Sequence, residues 1–308
     1  MENSNKQVPF TLKMSIRIVS WNVNGIRARL RHGHLQHFIS NIKTPIDILC
    51  LQETKAESTQ VKLPIDIQAQ FPHRYWRSTH GTTQRKGLSG TSIWSSIKPI
   101  REIEPPKFDE EGRITAVEFP DFNVASIYTP TTGSSPKRFQ YRTQLWHREF
   151  GQFLQDIKSN GKPTIVCGDL NTCVLDHDVY DPIQLRNAIP GFFDIERHQL
   201  VDYLKLGYRD AFRELYPDLQ GQFTWWNPRN PEMFANNLGL RLDYFLLSQF
   251  ASRCTIRNCE MLRHTRGSDH CPIVLDFEIG KEVIEEIELD ELNEQEELSE
   301  SNKQINSM

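Results

Sequence analysis

Thr-Ile-Val-Cys-Gly-Asp-Leu-Asn, residues 164–171, is the stretch from which the rest of the chain is best read. Its first four residues make a short apolar run with β-branched members, the pattern of a buried strand. The run ends in Gly168-Asp169-Leu170-Asn171, where a glycine and two polar side chains close it. Just upstream, residues 135–159 carry Phe139, Leu145, Trp146, Phe150, Phe153, Leu154 and Ile157 at three- and four-residue spacing, which predicts a helix. Gly161-Lys162-Pro163 stops it. Further out, strands are predicted over 16–21, 47–52, 74–78, 90–94, 114–119 and 123–128, and after the centre over 241–247, 255–262 and 273–277, with a helix over 195–206. Helices interleaved with many short strands, and no 20–50-residue repeat, predict one α/β domain over about 14–280. The expected arrangement is sheets packed face to face with helices outside.

The charge is unevenly spread. Of the 308 residues, 36 are Lys or Arg and 40 are Asp or Glu, a formal net of −4 that taken whole argues against a nucleic-acid partner. Residues 281–308 hold ten acidic and two basic residues, so the first 280 carry a net of +4. The mildly basic part reads as globular and the acidic segment as a disordered tail, the weak helical spacing over 284–292 notwithstanding. Residues 1–13 read as an arm without signal-peptide layout. No apolar run reaches the length of a membrane span. Six cysteines show no CxxC spacing, and Cys50 and Cys167 sit inside apolar strands, as reduced core thiols do. An intracellular compartment is expected, cytoplasm or nucleoid in a bacterium and nucleus in a eukaryote.

Four strand ends finish in polar clusters: Trp21-Asn22-Val23-Asn24-Gly25, Leu51-Gln52-Glu53-Thr54, Gly168-Asp169-Leu170-Asn171, and Gly267-Ser268-Asp269-His270. Burying such groups is costly unless they pair or bind something. Four of them point to one shared site, because strand ends converge at one edge of a sheet. Glu53, Asp169, Asp243 and Asp269 are oxygen ligands or bases, and Asn22, Asn24 and Asn171 add neutral oxygens and N–H donors. Hard oxygen donors suit Mg²⁺ or Mn²⁺ rather than zinc. Phosphodiester hydrolysis needs such a metal, a base for water and a cation near the developing charge. His270, paired with Asp243, could be that cation. Each has a blander reading, Asp243 as a strand-end cap, His270 as a core histidine, Tyr128 and Trp225-Trp226 as packing residues. Arg27, Arg29, Arg31, Lys55, Arg85 and Lys86 read as phosphate contacts or as a solvated face.

At these clusters the chain resembles the exonuclease III family of abasic-site endonucleases, within the endonuclease/exonuclease/phosphatase superfamily. The matching segments are SWNVNGIRAR (20–29), LQETK (51–55), KGLSGTSIW (86–94), EEGRITAVEF (110–119), YTP (128–130), CGDLNT (167–172), TWW (224–226), GLRLDYFLLS (239–248) and GSDHCPI (267–273). GDLN or SDHCP alone would mark only the superfamily. LQETK, TWW and LRLDYFLLS look specific to the abasic-site branch.

The resemblance implies a four-layer α/β sandwich of the DNase I-like kind, two mostly antiparallel sheets flanked by helices. It implies Mg²⁺-dependent hydrolysis of DNA 5′ to an abasic site, leaving a 3′-hydroxyl, with 3′-phosphodiesterase and 3′→5′ exonuclease activities. The substrate would be duplex DNA with abasic sites or 3′ blocks, bound by a monomer. By position, Glu53 is the principal metal carboxylate, with Asn24, Asp169, Asn171, Asp269 and His270 at or near the ion. Asp169 polarises the attacking water, while Asn171 and Asn22 hold the phosphate or orient Asp169. Tyr128 donates to the phosphate or leaving group, and Asp243 pairs with His270. Asp178 matches an aspartate associated with leaving-group protonation. Trp225, Leu240 and Leu242 would line an apolar pocket for the flipped sugar. Leu240, Ser134 and Thr131 depart from residues that some members carry there, Trp, Arg and Asn. Two rivals stand beside this reading: a superfamily phosphodiesterase acting on RNA, phosphoinositide or lipid, and a catalytically silent DNA-binding protein.

Overall fold

The computed structural model describes residues 11–79, 87–133, 135–250 and 253–282. Residues 1–10 of the expected arm, Arg85, Lys86, Ser134 and residues 283–308 of the expected tail lie outside these. The compact unit containing the site spans Ser15–Ile279. Its strands are β1 (Thr11–Asn22), β2 (Ile48–Gln52), β3 (His73–Arg77), β4 (Thr91–Ser95), β5 (Arg101–Ile103), β6 (Ile114–Glu118), β7 (Asn123–Tyr128), β8 (Thr164–Asp169), β9 (Tyr208–Asp210), β10 (Asp243–Ser248), β11 (Cys254–Met261) and β12 (Ile273–Glu282). They form two six-stranded sheets, in the orders β11-β12-β1-β2-β4-β3 and β5-β6-β7-β8-β10-β9. The β1–β2 and β7–β8 pairs are parallel. The neighbouring pairs β2–β4, β6–β7, β8–β10 and β11–β12 are antiparallel.

Helices cover the outer faces. On the first sheet lie α1 (Ile26–Arg31), α2 (His34–Asn41) and α3 (Ile65–Gln70), whose Ile26, Leu35, Phe38, Ile39 and Ile67 pack on Val19, Trp21, Leu49 and Leu51. The predicted 135–159 helix is α4 (Pro136–Gln140), a π-helical turn (Tyr141–Trp146) and α5 (His147–Ile157). Its apolar stripe packs with Leu200 and Tyr203 of α7 (Asp194–Lys205) on Ala125, Ile127, Val166, Tyr244 and Leu246 of the second sheet. Short helices α6 (Pro182–Leu185), α8 (Ala211–Leu215) and α9 (Pro231–Ala235) lie in the connections. The strand at 241 starts two residues later than predicted, at Asp243. All six cysteines are buried and free.

This packing fixes the direction of the polar strand ends. Successive strand side chains point to opposite faces. With Val19, Trp21, Ala125, Ile127, Val166, Tyr244 and Leu246 turned outward to helices, Asn22, Tyr128, Asp169 and Asp243 turn inward, between the sheets. Register aligns them: Asp169 sits opposite Asp243 on β10 and beside Tyr128 on β7. Between the sheets, Gln52 Nε2 donates to Ser20 Oγ (3.0 Å) and to Ser126 Oγ (2.9 Å). Gly168, at φ +132°, has no room for a side chain, since a Cβ there would lie 2.1 Å from the Ile127 carbonyl oxygen.

Candidate active site

The inward-facing ends meet at one amide. Asn22 Nδ2 donates to Glu53 Oε1 and to Asp169 Oδ2, both at 2.9 Å, and lies 3.4 Å from His270 Nε2. Each of Glu53, Asp169 and His270 offers one ligand atom within 4.8 Å of the others. Glu53 leaves β2 through a left-handed turn at φ +49°, and Asn24 and Asn171 have the same sign at +44° and +48°. Non-glycine residues rarely adopt this conformation, and its concentration where strands end aims the side chains back into the cleft. Asn171 N–H donates to Asp169 Oδ1 (2.9 Å) and its side-chain amide to the Thr129 carbonyl (2.8 Å).

The imidazole is held from several sides. His270 Nδ1 lies 2.8 Å from Asp243 Oδ2, and Nε2 lies 3.7 Å from Asp169 Oδ2. The indole N–H of Trp21 donates to the His270 carbonyl (3.0 Å), and Ser268 Oγ donates to the Asn22 carbonyl (2.7 Å). Thr224 Oγ1 accepts the backbone N–H of Asp243 (3.1 Å). Burial alone would lower the His270 pKa, but Asp243, Asp169 and Asp269 outweigh it and hold the ring up to about 10, protonated at neutral pH. Burial pushes Asp169 up to about 8, with Asp243 and Glu53 adding to the rise and His270 opposing it. Burial would also raise Glu53, but Lys55, Asn22 and His270 bring it below its ordinary value.

Tyr128 is half-buried with its phenol beside Glu53; desolvation and that carboxylate drive its pKa well up, so the hydroxyl stays neutral. Beneath it, the guanidinium of Arg113 lies 4.5 Å from the ring centroid and donates to the Tyr128 carbonyl (3.0 Å). Arg113 lies in the quoted EEGRITAVEF motif, but nothing in the sequence announces its place under the tyrosine. Thr224 was missed in the same way. Asn24 Nδ2 donates to Asp269 Oδ1 (2.8 Å), and Trp225 Nε1 donates to Asp269 Oδ2 (3.0 Å).

Asp178 stands in an ion-pair network of its own. It is fully buried and pairs with Arg241 (2.8 Å) and with Arg213. Burial opposes ionisation, yet the two guanidiniums hold the carboxyl down at about 2. A group so firmly ionised is a poor proton donor at neutral pH, and its ion pairs with Arg241 and Arg213 account for its burial. Leu240 and Leu242, at 4% and 5% exposure, stand in a cluster with Cys173, Val179 and Phe192, and Trp225 packs against it. Arg27 and Arg31 of α1 are exposed and Arg29 is half-buried. Thr131 Oγ1 accepts the Gly133 N–H (3.3 Å), a local turn contact.

Residues 19–270 match the model of the endonuclease/exonuclease/phosphatase family. The chain belongs to that family. Its relatives place it more narrowly. It is 36% identical over 264 residues to an exodeoxyribonuclease of Bacillus subtilis, covering 84% of this chain and 98% of that one. It is also 36% identical over 272 residues to the DNA repair nuclease APEX1 of Danio rerio, covering 85% and 82%. Among solved structures, the AP endonuclease LMAP of Leishmania major superposes with a TM-score of 0.71 at 25% identity, covering 85% of this chain and 87% of that one. This family member is therefore a nuclease of the DNA-repair type, with the DNase I-like sandwich read from its motifs. Among its described residues, no helix is long and apolar enough to cross a membrane.

Proposed function

We propose that this nuclease hydrolyses the DNA backbone 5′ to abasic sites in a Mg²⁺-dependent reaction, leaving a 3′-hydroxyl, and that it also removes 3′ blocks and terminal nucleotides. The reading rests on one observation above the others: a single buried amide, Asn22, ties Glu53 to Asp169 beside a histidine kept cationic by Asp243.

The donor set suits a hard divalent cation. Glu53, Asp169 and Asn24 offer oxygens, and a positive charge already sits among them: Lys55 Nζ lies 2.7 Å from Glu53 Oε2 and 2.5 Å from Asn24 Oδ1. Glu53 would be the main ligand, with Asn24, Asp269, Asp169 and Asn171 contributing at or near the ion, while the protonated His270 stands beside it as a second positive charge and not as a ligand. Mg²⁺ bound there supplies charge stabilisation at the phosphate oxygens.

The chain's own groups account for the rest. Asp169, in the ionised form that a cation bound beside it would favour, takes the proton of a water aligned for in-line attack, and Asn22 and Asn171 hold its carboxylate in one orientation. The water oxygen forms a bond to phosphorus as the bond from phosphorus to O3′ breaks. Protonated His270 offsets the charge that grows on the phosphoryl oxygens. Tyr128, neutral at working pH, donates to the phosphate or the departing O3′. Trp225, Leu240 and Leu242 form the apolar wall against which a baseless sugar would rest.

The test is a duplex carrying one abasic-site analogue, incubated with Mg²⁺ and with EDTA, the ends identified by gel and mass. Cleavage 5′ to the lesion with Mg²⁺ alone is expected. Uncut abasic duplex beside cleaved RNA or phosphoinositide would overturn the substrate, and Mg²⁺-independent binding without cleavage would overturn the enzyme.

A further inference from the structure

A cavity of about 390 Å³ opens on the Asp269 side of the site, and beyond the Asn24, Asp269 and His270 it shares with the reaction above, its walls have no part in that reaction. Its inner wall is Asn24, Asp269 and His270; the rest includes Arg29, Arg263, Trp226 and Phe234. It differs from the apolar wall of Trp225, Leu240 and Leu242. The two adjacent tryptophans face apart: Trp225 joins that cluster, while Trp226 packs with Phe223 and Cys271.

The lining has the chemistry of a nucleotide site. Phe234 is 42% exposed, leaving part of its ring open to the cavity, and stands edge-on to Trp226 at 5.1 Å. The guanidinium of Arg263 lies 5.8 Å from the Phe234 centroid. Arg29 and Arg263 each bury an Nε–H with no acceptor among the described residues. Such donors are costly to leave unmade, and phosphate is the acceptor guanidinium suits best. The one carboxylate on the wall is already engaged, Asp269 Oδ1 by Asn24 and Ser268, Oδ2 by Trp225. The volume lies at the small end of ligand pockets, about 300–1,000 Å³, which suits one nucleotide rather than a longer segment. Pro228 stiffens the approach to α9, and Pro231 opens the helix that carries Phe234.

We propose that this cavity is a second nucleotide pocket, receiving a nucleotide that flanks the scissile phosphate, with its base against Phe234 and its phosphate between Arg29 and Arg263. The proposal rests on the DNA phosphodiesterase reading above. It makes the enzyme sensitive to what lies beside the lesion, as well as to the lesion.

The experiment uses the full chain, the variants Phe234→Ala and Arg263→Gln, and abasic duplexes in which either neighbour of the lesion keeps or lacks its base. Binding is read by fluorescence anisotropy in EDTA, and KM and kcat are read with Mg²⁺. Phe234→Ala should weaken binding and raise KM by about 5- to 100-fold, the worth of one base–aromatic stack, with kcat little changed. That loss should vanish on one of the duplexes whose neighbour is baseless. Arg263→Gln should reduce the salt slope of binding by about one phosphate contact on every duplex, which tests the pocket even if Phe234→Ala misfolds. Variants that match wild type, or a Phe234→Ala loss indifferent to the neighbouring base, would overturn the pocket. A wild-type enzyme that leaves the abasic duplex uncut would overturn the functional reading beneath it.

Discussion

Replacing Asp178 with Asn separates a structural carboxylate from a catalytic one. In the folded chain Asp178 accepts from Arg241 Nε (2.8 Å) and Nη2 (3.0 Å) and pairs with Arg213. Its carboxyl is held at about 2 against an ordinary 3.8, a difference worth about 2.5 kcal/mol at 1.36 kcal/mol per pH unit. The substitution also leaves two guanidiniums short of charge, and breaking one partner of a buried pair costs about 3–5 kcal/mol. Arg241 keeps Asp210 at 2.7 Å, which sets the loss at the lower end. About 3 kcal/mol corresponds to a melting point lowered by roughly 6–12 °C in a domain of this size. Because the folded-state pKa is depressed, this stability is fully present above pH 3.8 and is lost as pH falls through about 2. Urea unfolding followed by tryptophan fluorescence at pH 7 and at progressively lower pH should therefore show the two proteins converging in acid. The pH profile of kcat should keep its shape. A variant as stable as wild type that has lost the profile's basic limb would refute the structural assignment and restore Asp178 as the acid.

Three further outcomes follow from the same geometry. Asp169→Asn and His270→Asn should each slow cleavage of an abasic duplex by at least about 10²-fold in single-turnover assays, and near-normal rates in either would show the roles misassigned. Lys55→Met should tighten Mn²⁺ binding by roughly 2- to 5-fold in paramagnetic resonance titrations, because a half-exposed ammonium no longer competes for Glu53 and Asn24; unchanged or weaker binding would contradict that competition. Gly168→Ala should cost at least about 4 kcal/mol or prevent folding, read by circular dichroism, since its Cβ would strike the Ile127 carbonyl; a variant melting with wild type would mean that β7 and β8 can part more readily than their pairing implies.

Much of this architecture was legible before any coordinates. Strands whose ends finish in Asn, Glu, Asp or His announced a shared edge, and the structure brings Asn22, Glu53, Asp169, Asp243 and His270 together there. The reason is the two-residue period, which turns every second side chain inward once the outer face is committed to helices. Short amphipathic pieces were not legible. Residues 34–41 bury only Leu35, Phe38 and Ile39 in a histidine-rich run, too short for periodicity to stand out. Arg241 read as the first residue of a strand and is instead the buried hub of Asp178 and Asp210. Its partners are distant in sequence, so spacing carries no trace of them. The same holds for Arg113 beneath Tyr128, and for the cavity between Arg29 and Arg263, whose walls come from segments far apart in the chain.

Asn22 and Gln52 stitch the two sheets together across their shared boundary, and neither sheet holds the reactive constellation alone: Asn22 and Glu53 arrive with one, Tyr128, Asp169 and Asp243 with the other. A chain in which only one sheet has formed therefore lacks the assembled constellation. Competence for cutting is conferred at the moment of docking, so that in a refolding time course recovered cleavage should coincide with the last tertiary step and never precede it. For an enzyme whose misdirected cuts would be lesions in their own right, the architecture doubles as a safety catch.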